Sequence, residues 1–300
     1  MLRQTNNLNQ PPVPRMNGNS LTLREKLNYL GAHPGFRAAP ASVLFRLLVW
    51  RSYCALGIPG SIDLPAWQVR MLLPPEWRGM SKVAFAFRER YESELAFLPS
   101  VLSPGDVFID AGACYGIFAL VAAKLVGEMG RVLAFEPAAD ASAVLHRNIA
   151  LNGFANVLQR RVALSDRSGT TPLFIDADQS RNSLGGNASA DACQSVETST
   201  LDEELARARL NHVEVVKIDA EGAEELVLRG AKLALASYHP VVIFEVNPEA
   251  ASNLGLRSDG AWNLLRKHGY RFLGMDNRGF LHVRTSLPTF GTVIAIRRHT

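Results

Sequence analysis

The chain has 300 residues, of which 47% are hydrophobic, 8% aromatic and 20% charged. That balance excludes a fully disordered chain and a fibrous repeat, and it leaves room for one large α/β domain with extensions. Charge is uneven: residues 1–90 hold 12 Lys and Arg against 4 Asp and Glu, and the remainder holds 20 against 24. A basic N-terminal third is either a solvated surface or an attractor of phosphate, nucleic acid or anionic membrane.

Residues 1–20 are rich in Asn, Gln and Pro, lack an apolar core, and are expected to form a flexible tail rather than a signal peptide. The next unit, residues 21–90, is expected to be a helical and β extension. Its most apolar stretch is interrupted by Arg46 and Arg51, too soon for a membrane span. Residues 41–56 are predicted to form an amphipathic helix that packs on the main domain; the alternative is peripheral membrane contact with the arginines snorkelling. Residues 61–90 predict a small β element followed by a helix. Trp67, Trp77, Phe85 and Phe87 alternate there like core residues, so nucleic acid is not expected as a partner. Cys54, Cys114 and Cys193 are far apart, odd in number and make no C-x-x-C pair. They point to a reducing compartment and a cytoplasmic location.

The third unit, residues 91–300, alternates strands and helices. Val107–Ala111 is a predicted strand and Tyr115–Val126 a helix. Strand Arg131–Phe135 follows, then a helix over Asp140–Leu151 that stops at Asn152-Gly153. Val157–Leu164, Val213–Ile218 and Pro240–Val246 are further strands, with a helix over Glu224–Leu235. After a helix around Gly260–His268, a hairpin pairs Arg271–Met275 with Phe280–Val283 about a turn at Asn277-Arg278-Gly279. Thr292–Arg297 is the last strand. Near-continuous apolar strands between helices indicate a doubly wound, mainly parallel sheet covered on both faces. Residues 176–195 form a polar Gly/Asn/Ser-rich loop of the kind that carries function.

The chemistry concentrates in the turn Asp110-Ala111-Gly112-Ala113-Cys114-Tyr115-Gly116, between the first strand and helix of that unit. Its glycines let backbone approach a ligand, and the helix N-terminus offers free N–H groups. The turn lacks G-x-G-x-x-G and carries an acid, which repels pyrophosphate but suits a ligand bearing an amino group and a sulfonium. Glu136 ends the second strand, where a carboxylate can accept both hydroxyl hydrogens of a ribose. A positively charged nucleoside without phosphate fits both acids, and S-adenosylmethionine is such a molecule.

An ordered series of motifs carries a specific resemblance. It runs through Tyr91-Glu92, Ser103-Pro104-Gly105-Asp106, the Asp110–Gly116 turn, Phe135-Glu136-Pro137, Asn148–Asn152 and Val162–Asp166. Thr200-Leu201-Asp202, Val216–Glu224, Leu228–Ala231 and Phe244-Glu245-Val246 complete it. Over about Tyr91 to Pro248 the chain resembles the FkbM family of S-adenosylmethionine-dependent methyltransferases. The resemblance implies a class I methyltransferase fold with a Rossmann-like, seven-stranded, mainly parallel sheet, and methyl transfer to a hydroxyl of a sugar, glycolipid or glycosylated natural product. It places Asp110, Gly112, Ala113, Tyr115 and Gly116 at the methionine portion of the cofactor, Glu136 at the ribose, and Ala163 with Ser165 at the adenine edge. One departure stands out: the family turn commonly reads G-A-N-x-G, and Cys114 replaces the asparagine.

On the acceptor side, Asp219 and Glu221 follow one central strand, while Glu245 and Asn247 end the next. All four are expected to open on the face of the glycine turn. Asp219 is the first candidate for the base that takes the hydroxyl proton, Glu245 the second, with Glu221 beside them. The alternative role for Asp219 is to orient the cofactor's amino group, and for Glu221 to cap the following helix. Asp219, Glu245 and Asn247 are also oxygen ligands of the type a divalent metal prefers, although metal dependence is not the favoured expectation. Two rival functions are a nicotinamide-dependent oxidoreductase and a catalytically inactive cofactor-binding partner protein.

Overall fold

The structure is a computed structural model. It describes residues 30–297 except 32, 177, 187–191, 277 and 278. The expected tail at residues 1–20 and the turn residues Asn277 and Arg278 lie outside the described residues.

Two helices, Pro34–Ala38 and Pro40–Leu56, each begin with a proline that needs no N–H partner. The longer one ends at Gly57 in the left-handed conformation. Strands β1 (Gly60–Leu64) and β2 (Val69–Leu73) form an antiparallel hairpin with alternating burial. The Gly79–Phe87 helix follows it. Ile62, Leu64, Val69 and Met71 are buried in the same cluster as Ala119, Leu120 and Val132 of the main domain. The extension therefore shares the core of the domain it precedes.

The main sheet is built from β3 (Val107–Ala111), β4 (Arg131–Phe135) and β5 (Val157–Arg160), with helices Ile117–Val126 and Ala139–Leu151 as crossovers. A separate three-stranded sheet holds β6 (Ala163–Leu164), β7 (Gly169–Ile175) and β8 (Ala192–Ser199) in the order β6-β8-β7. The chain then returns to the main sheet as β9 (Val215–Ile218), β10 (Val241–Val246), β11 (Arg271–Met275), β12 (Leu281–Arg284) and β13 (Gly291–Ile296). The eight strands run β12-β11-β13-β10-β9-β3-β4-β5. Strands β5, β4, β3, β9 and β10 are parallel, and β13 is antiparallel to both its neighbours. Seven of these strands reproduce the expected class I order; β12 adds an eighth at the edge, as the hairpin partner of β11.

Two predicted elements are divided. Val157–Leu164 breaks after Arg160, because Ala163 and Leu164 leave the main sheet to pair with Thr198 and Ser199. The helix from Glu224 stops at Arg229, and a short π-helical turn follows at Ala234–Tyr238. Gly230 packs so tightly on the Ser165 carbonyl that a Cβ would collide with it. The helices Leu201–Arg207, capped by the Thr200 hydroxyl, and Pro248–Asn253, capped by the Asn247 side chain, were not anticipated.

Candidate functional site

A cavity opens at the carboxyl ends of β3, β4 and β9, where open α/β sheets hold ligands. Its floor is the turn after β3. Gly112 has φ 81°, and a Cβ there would run into the Asp219 carbonyl oxygen, so the turns after β3 and β9 press together. Gly112 N and Ala113 N both donate to the Phe135 carbonyl, at 3.0 and 2.9 Å. Cys114 takes φ 48°, a left-handed conformation in which asparagine is more at ease. This explains what the expected family residue offers at that place. Gly112, Ala113 and Cys114 line the cavity.

Glu136 also lines it. One carboxylate oxygen accepts Cys114 N and the other accepts Ala138 N, both at 2.9 Å. Each oxygen keeps a lone pair. Burial pushes this carboxyl up to about 7 even though the two N–H donors oppose the shift. Ala163 lines the wall with Val162 and Leu164.

Four expected cofactor contacts are placed elsewhere. Asp110 is fully buried and is not among the lining residues. It stands opposite Lys217 in the β3–β9 register, and the Lys217 ammonium lies 3.6 Å from it. An acid on a strand covered on both faces needs such a cation, so Asp110 serves the ligand space only through Lys217. Tyr115 turns away, its hydroxyl 2.7 and 2.9 Å from the two Glu76 oxygens in the extension. Gly116 is the N-cap of the Ile117–Val126 helix and packs on Leu145. Ser165 is likewise outside the lining; its N–H donates to the Ser199 carbonyl, and its own carbonyl supports Gly230.

On the facing side stand Lys217, Asp219, Glu221 and Glu92. Lys217 Nζ is 3.3 Å from Asp219 Oδ2. Burial alone would lower the ammonium's pKa, but the charges of Asp219, Asp110 and Glu92 outweigh it and push the group up. Lys217 is therefore a charged cation inside a carboxylate-lined cavity, a residue that sequence reasoning left without a role. Its register opposite Asp110 was the missing signal. Glu92 is pushed up to about 8, chiefly by burial and then by Glu94 and Asp219.

Asp219, Glu221 and Glu245 each present a carboxylate oxygen, all within 4.8 Å of one another. Burial, reinforced by Glu245 and Asp219, drives the Glu221 carboxyl well above its ordinary range. The Asn247 amide donates to Glu221 and Glu245 at 3.3 Å each, and its oxygen accepts Ala250 N at 2.9 Å. That oxygen is spent on a helix cap, so the expected triad Asp219, Glu245 and Asn247 becomes Asp219, Glu221 and Glu245. These three are the residues that could hold a cation. Glu221 does not cap the next helix either: Glu224–Arg229 has no side-chain cap, and Glu224 instead accepts the N–H groups of Ala220 and Gly222 in the preceding turn at 3.1 and 3.2 Å. Part of the polar loop also reaches the site. Gln179, Ser180, Asn182 and Leu184 line the cavity, and the Ser183 hydroxyl donates to the Glu221 carbonyl at 2.8 Å.

The cavity thus combines four carboxyl groups with one cation. This suits a ligand carrying an ammonium and a sulfonium better than one carrying phosphates. With the two available lone pairs on Glu136, the donor set fits S-adenosylmethionine.

Known proteins agree with this chemistry at the level of family. The family described as "Methyltransferase FkbM domain" matches residues 110–272, just over half of the chain. A stretch of 91 residues is 32% identical to the "probable cobalt-precorrin-6B C(15)-methyltransferase (decarboxylating)" of Halobacterium salinarum, covering 30% of this chain and 44% of that one. Over 172 residues the chain is 29% identical to the methyltransferase sdnD of Sordaria araneosa, covering 46% of this chain and 63% of that one. The chain thus spans about half the length of the curated relatives it matches. The crystal structure of methyltransferase FkbM from Methylobacillus flagellatus superposes with a TM-score of 0.42 at 14% identity, over 72% of this chain and 53% of that one.

Proposed function

The chain belongs to the FkbM methyltransferase domain family, and from that membership we propose that it is an S-adenosylmethionine-dependent O-methyltransferase acting on a hydroxyl of a sugar, glycolipid or glycosylated natural product. The observation that carries the proposal is Glu136, a buried carboxylate held by two backbone N–H groups, facing Lys217 and Asp219 across one cavity. Family membership and the acid-lined cavity both weigh against the nicotinamide-dependent alternative.

When bound, S-adenosylmethionine supplies an electrophilic methyl group on a sulfonium. Glu136 would accept the two ribose hydroxyls, and Ala163 would flank the adenine. Glu92, which an adjacent ammonium would help to ionise, would hold that end of the cofactor. The protein's main contribution is alignment of the acceptor oxygen with the methyl carbon, worth up to about 7–11 kcal/mol in favourable cases. Asp219, with 39% side-chain exposure, is the proposed acceptor of the hydroxyl proton. Burial, with Glu245 and Asp219 beside it, raises the Glu221 carboxyl well above its ordinary range, and its proposed part is a hydrogen bond to the acceptor. Glu245, anchored by Asn247, is the second candidate base.

Calorimetry tests the cofactor and a labelled-methyl assay against sugar and glycolipid acceptors tests the reaction. Binding of S-adenosylmethionine and its demethylated product, with no heat from NAD, is expected. Tight NAD binding would overturn the assignment. Cofactor binding with no transfer to any hydroxyl acceptor would favour an inactive partner protein.

A further inference from the structure

The Pro40–Leu56 helix has two apolar faces, and only one is covered. Val43 and Trp50 point inward and are buried, and the Trp50 indole donates to the Glu76 carbonyl at 2.8 Å. On the opposite side Leu44 is 48% exposed, Phe45 67%, and Leu48 and Leu56 71% each. Ile58, just past the helix, is 47% exposed. At 3.6 residues per turn Leu44, Phe45, Leu48 and Leu56 fall on one face of the helix, with Arg51 along its edge. A stripe of this size is not the scattered apolar exposure of an ordinary surface.

Its border is cationic. The helix carries no acid; Arg51 is exposed at the edge of the stripe, while Arg46 turns to the packed side, where its guanidinium donates to the Ala86 carbonyl at 3.1 Å. Trp77 is 40% exposed beside it, with the Arg51 guanidinium 4.9 Å and the Lys82 ammonium 5.8 Å from its ring centre. Arg37 and Arg78 are exposed nearby in sequence.

We propose that this face docks the protein on an anionic membrane surface, with Phe45 and Leu48 entering the acyl boundary while Arg51 and Lys82, around Trp77, meet the headgroups. The chemistry is that of an interfacial helix, in which apolar area and electrostatic attraction add. A second copy is a poorer occupant, because a two-fold contact would bring the same cations of both copies together. Among the described residues no helix is long and apolar enough to cross a membrane, which is consistent with a helix lying flat. Docking concerns a different face from the cofactor cavity and does not depend on the methylation reading.

The full chain should co-sediment with vesicles of phosphatidylcholine and phosphatidylserine in equal parts, and more than about tenfold more weakly with phosphatidylcholine alone. Phe45→Ser with Leu48→Ser should cost the mixed-vesicle affinity more than about tenfold while leaving the melting temperature and cofactor binding unchanged. Arg51→Gln with Lys82→Gln should remove the preference for the anionic vesicle. Wild-type protein that ignores both vesicles, or binding indifferent to the serine pair, would overturn the proposal. So would a wild-type dimer in light scattering that the serine pair dissociates, which would assign the face to self-association.

Discussion

The Tyr115 hydroxyl, at the heart of the glycine turn, bonds to the Glu76 carboxylate 39 residues earlier, at 2.7 and 2.9 Å. Glu76 also accepts the Ser81 hydroxyl at 3.1 Å, and its backbone carbonyl accepts the Trp50 indole. The extension and the cofactor turn are thereby joined through one half-buried acid. Tyr115→Phe leaves that acid short of a donor and should lower stability by about 1–3 kcal/mol. Urea denaturation of the two proteins measures it; equal midpoints would mean the bond carries no load.

Lys217 neutralises Asp110 in the sheet interior. Lys217→Met should destabilise the fold by about 3–5 kcal/mol, because it strands a buried carboxylate. Adding Asp110→Asn should restore part of the loss. If the two substitutions instead add independently in a denaturation cycle, the pair is not coupled.

Cofactor affinity should depend on pH through Glu136, whose carboxyl is raised to about 7. If binding requires its ionised form, the dissociation constant should fall about tenfold per unit as pH rises toward 7 and then level off. Glu136→Gln should bind more weakly and without that slope. For the unliganded fold, a raised acid pKa contributes stability that is full below the unfolded value and lost as pH rises through the folded one. Wild-type melting should therefore weaken between about pH 4.5 and 7 more than that of Glu136→Gln. Calorimetric titrations and melts across this range check both signs.

Asp219→Asn should reduce turnover by about 10²–10⁴-fold with a smaller change in cofactor affinity, as a lost general base does. Glu245→Gln should cost less. Equal losses in turnover and affinity for Asp219→Asn would reassign it to orienting the cofactor. Lys217 and the Asn247 amide already offset the charge of the carboxylate cluster, so a chelator should leave turnover unchanged. A chelator-induced loss reversed by magnesium would make Asp219, Glu221 and Glu245 a metal centre.

The central strands were legible because burial on both faces writes them as unbroken apolar runs: VFIDA, RVLAF and VVIFEV. Strands β7 and β8 were not, since Leu173 alone is buried along the first and Val196 with Ser199 along the second. A polar ribbon with so few inward positions reads as loop. Glu136 was legible from its place at a strand end. The fates of Asp110 and Tyr115 were not, because each is decided by a partner distant in sequence, Lys217 and Glu76. An acid beside a glycine turn looks the same whether it faces a ligand or a lysine.

Asn148 and Asn152, four apart on the Ala139–Leu151 helix, exchange amide hydrogen bonds with the backbone of Leu72 and Arg70, two apart on β2. Four helical residues rise about 6 Å and two strand residues about 6.8 Å, so the spacings nearly coincide. A pair of side chains thus imitates the missing third strand and blunts an edge that could otherwise recruit foreign chains. Shortening the protein to residue 91 would remove the hairpin yet leave its mimic behind, two amides that lose their β2 partners on the flank of the cofactor turn. The boundary drawn at residue 90 separates sequence motifs, and across it the hairpin and the main domain share one core.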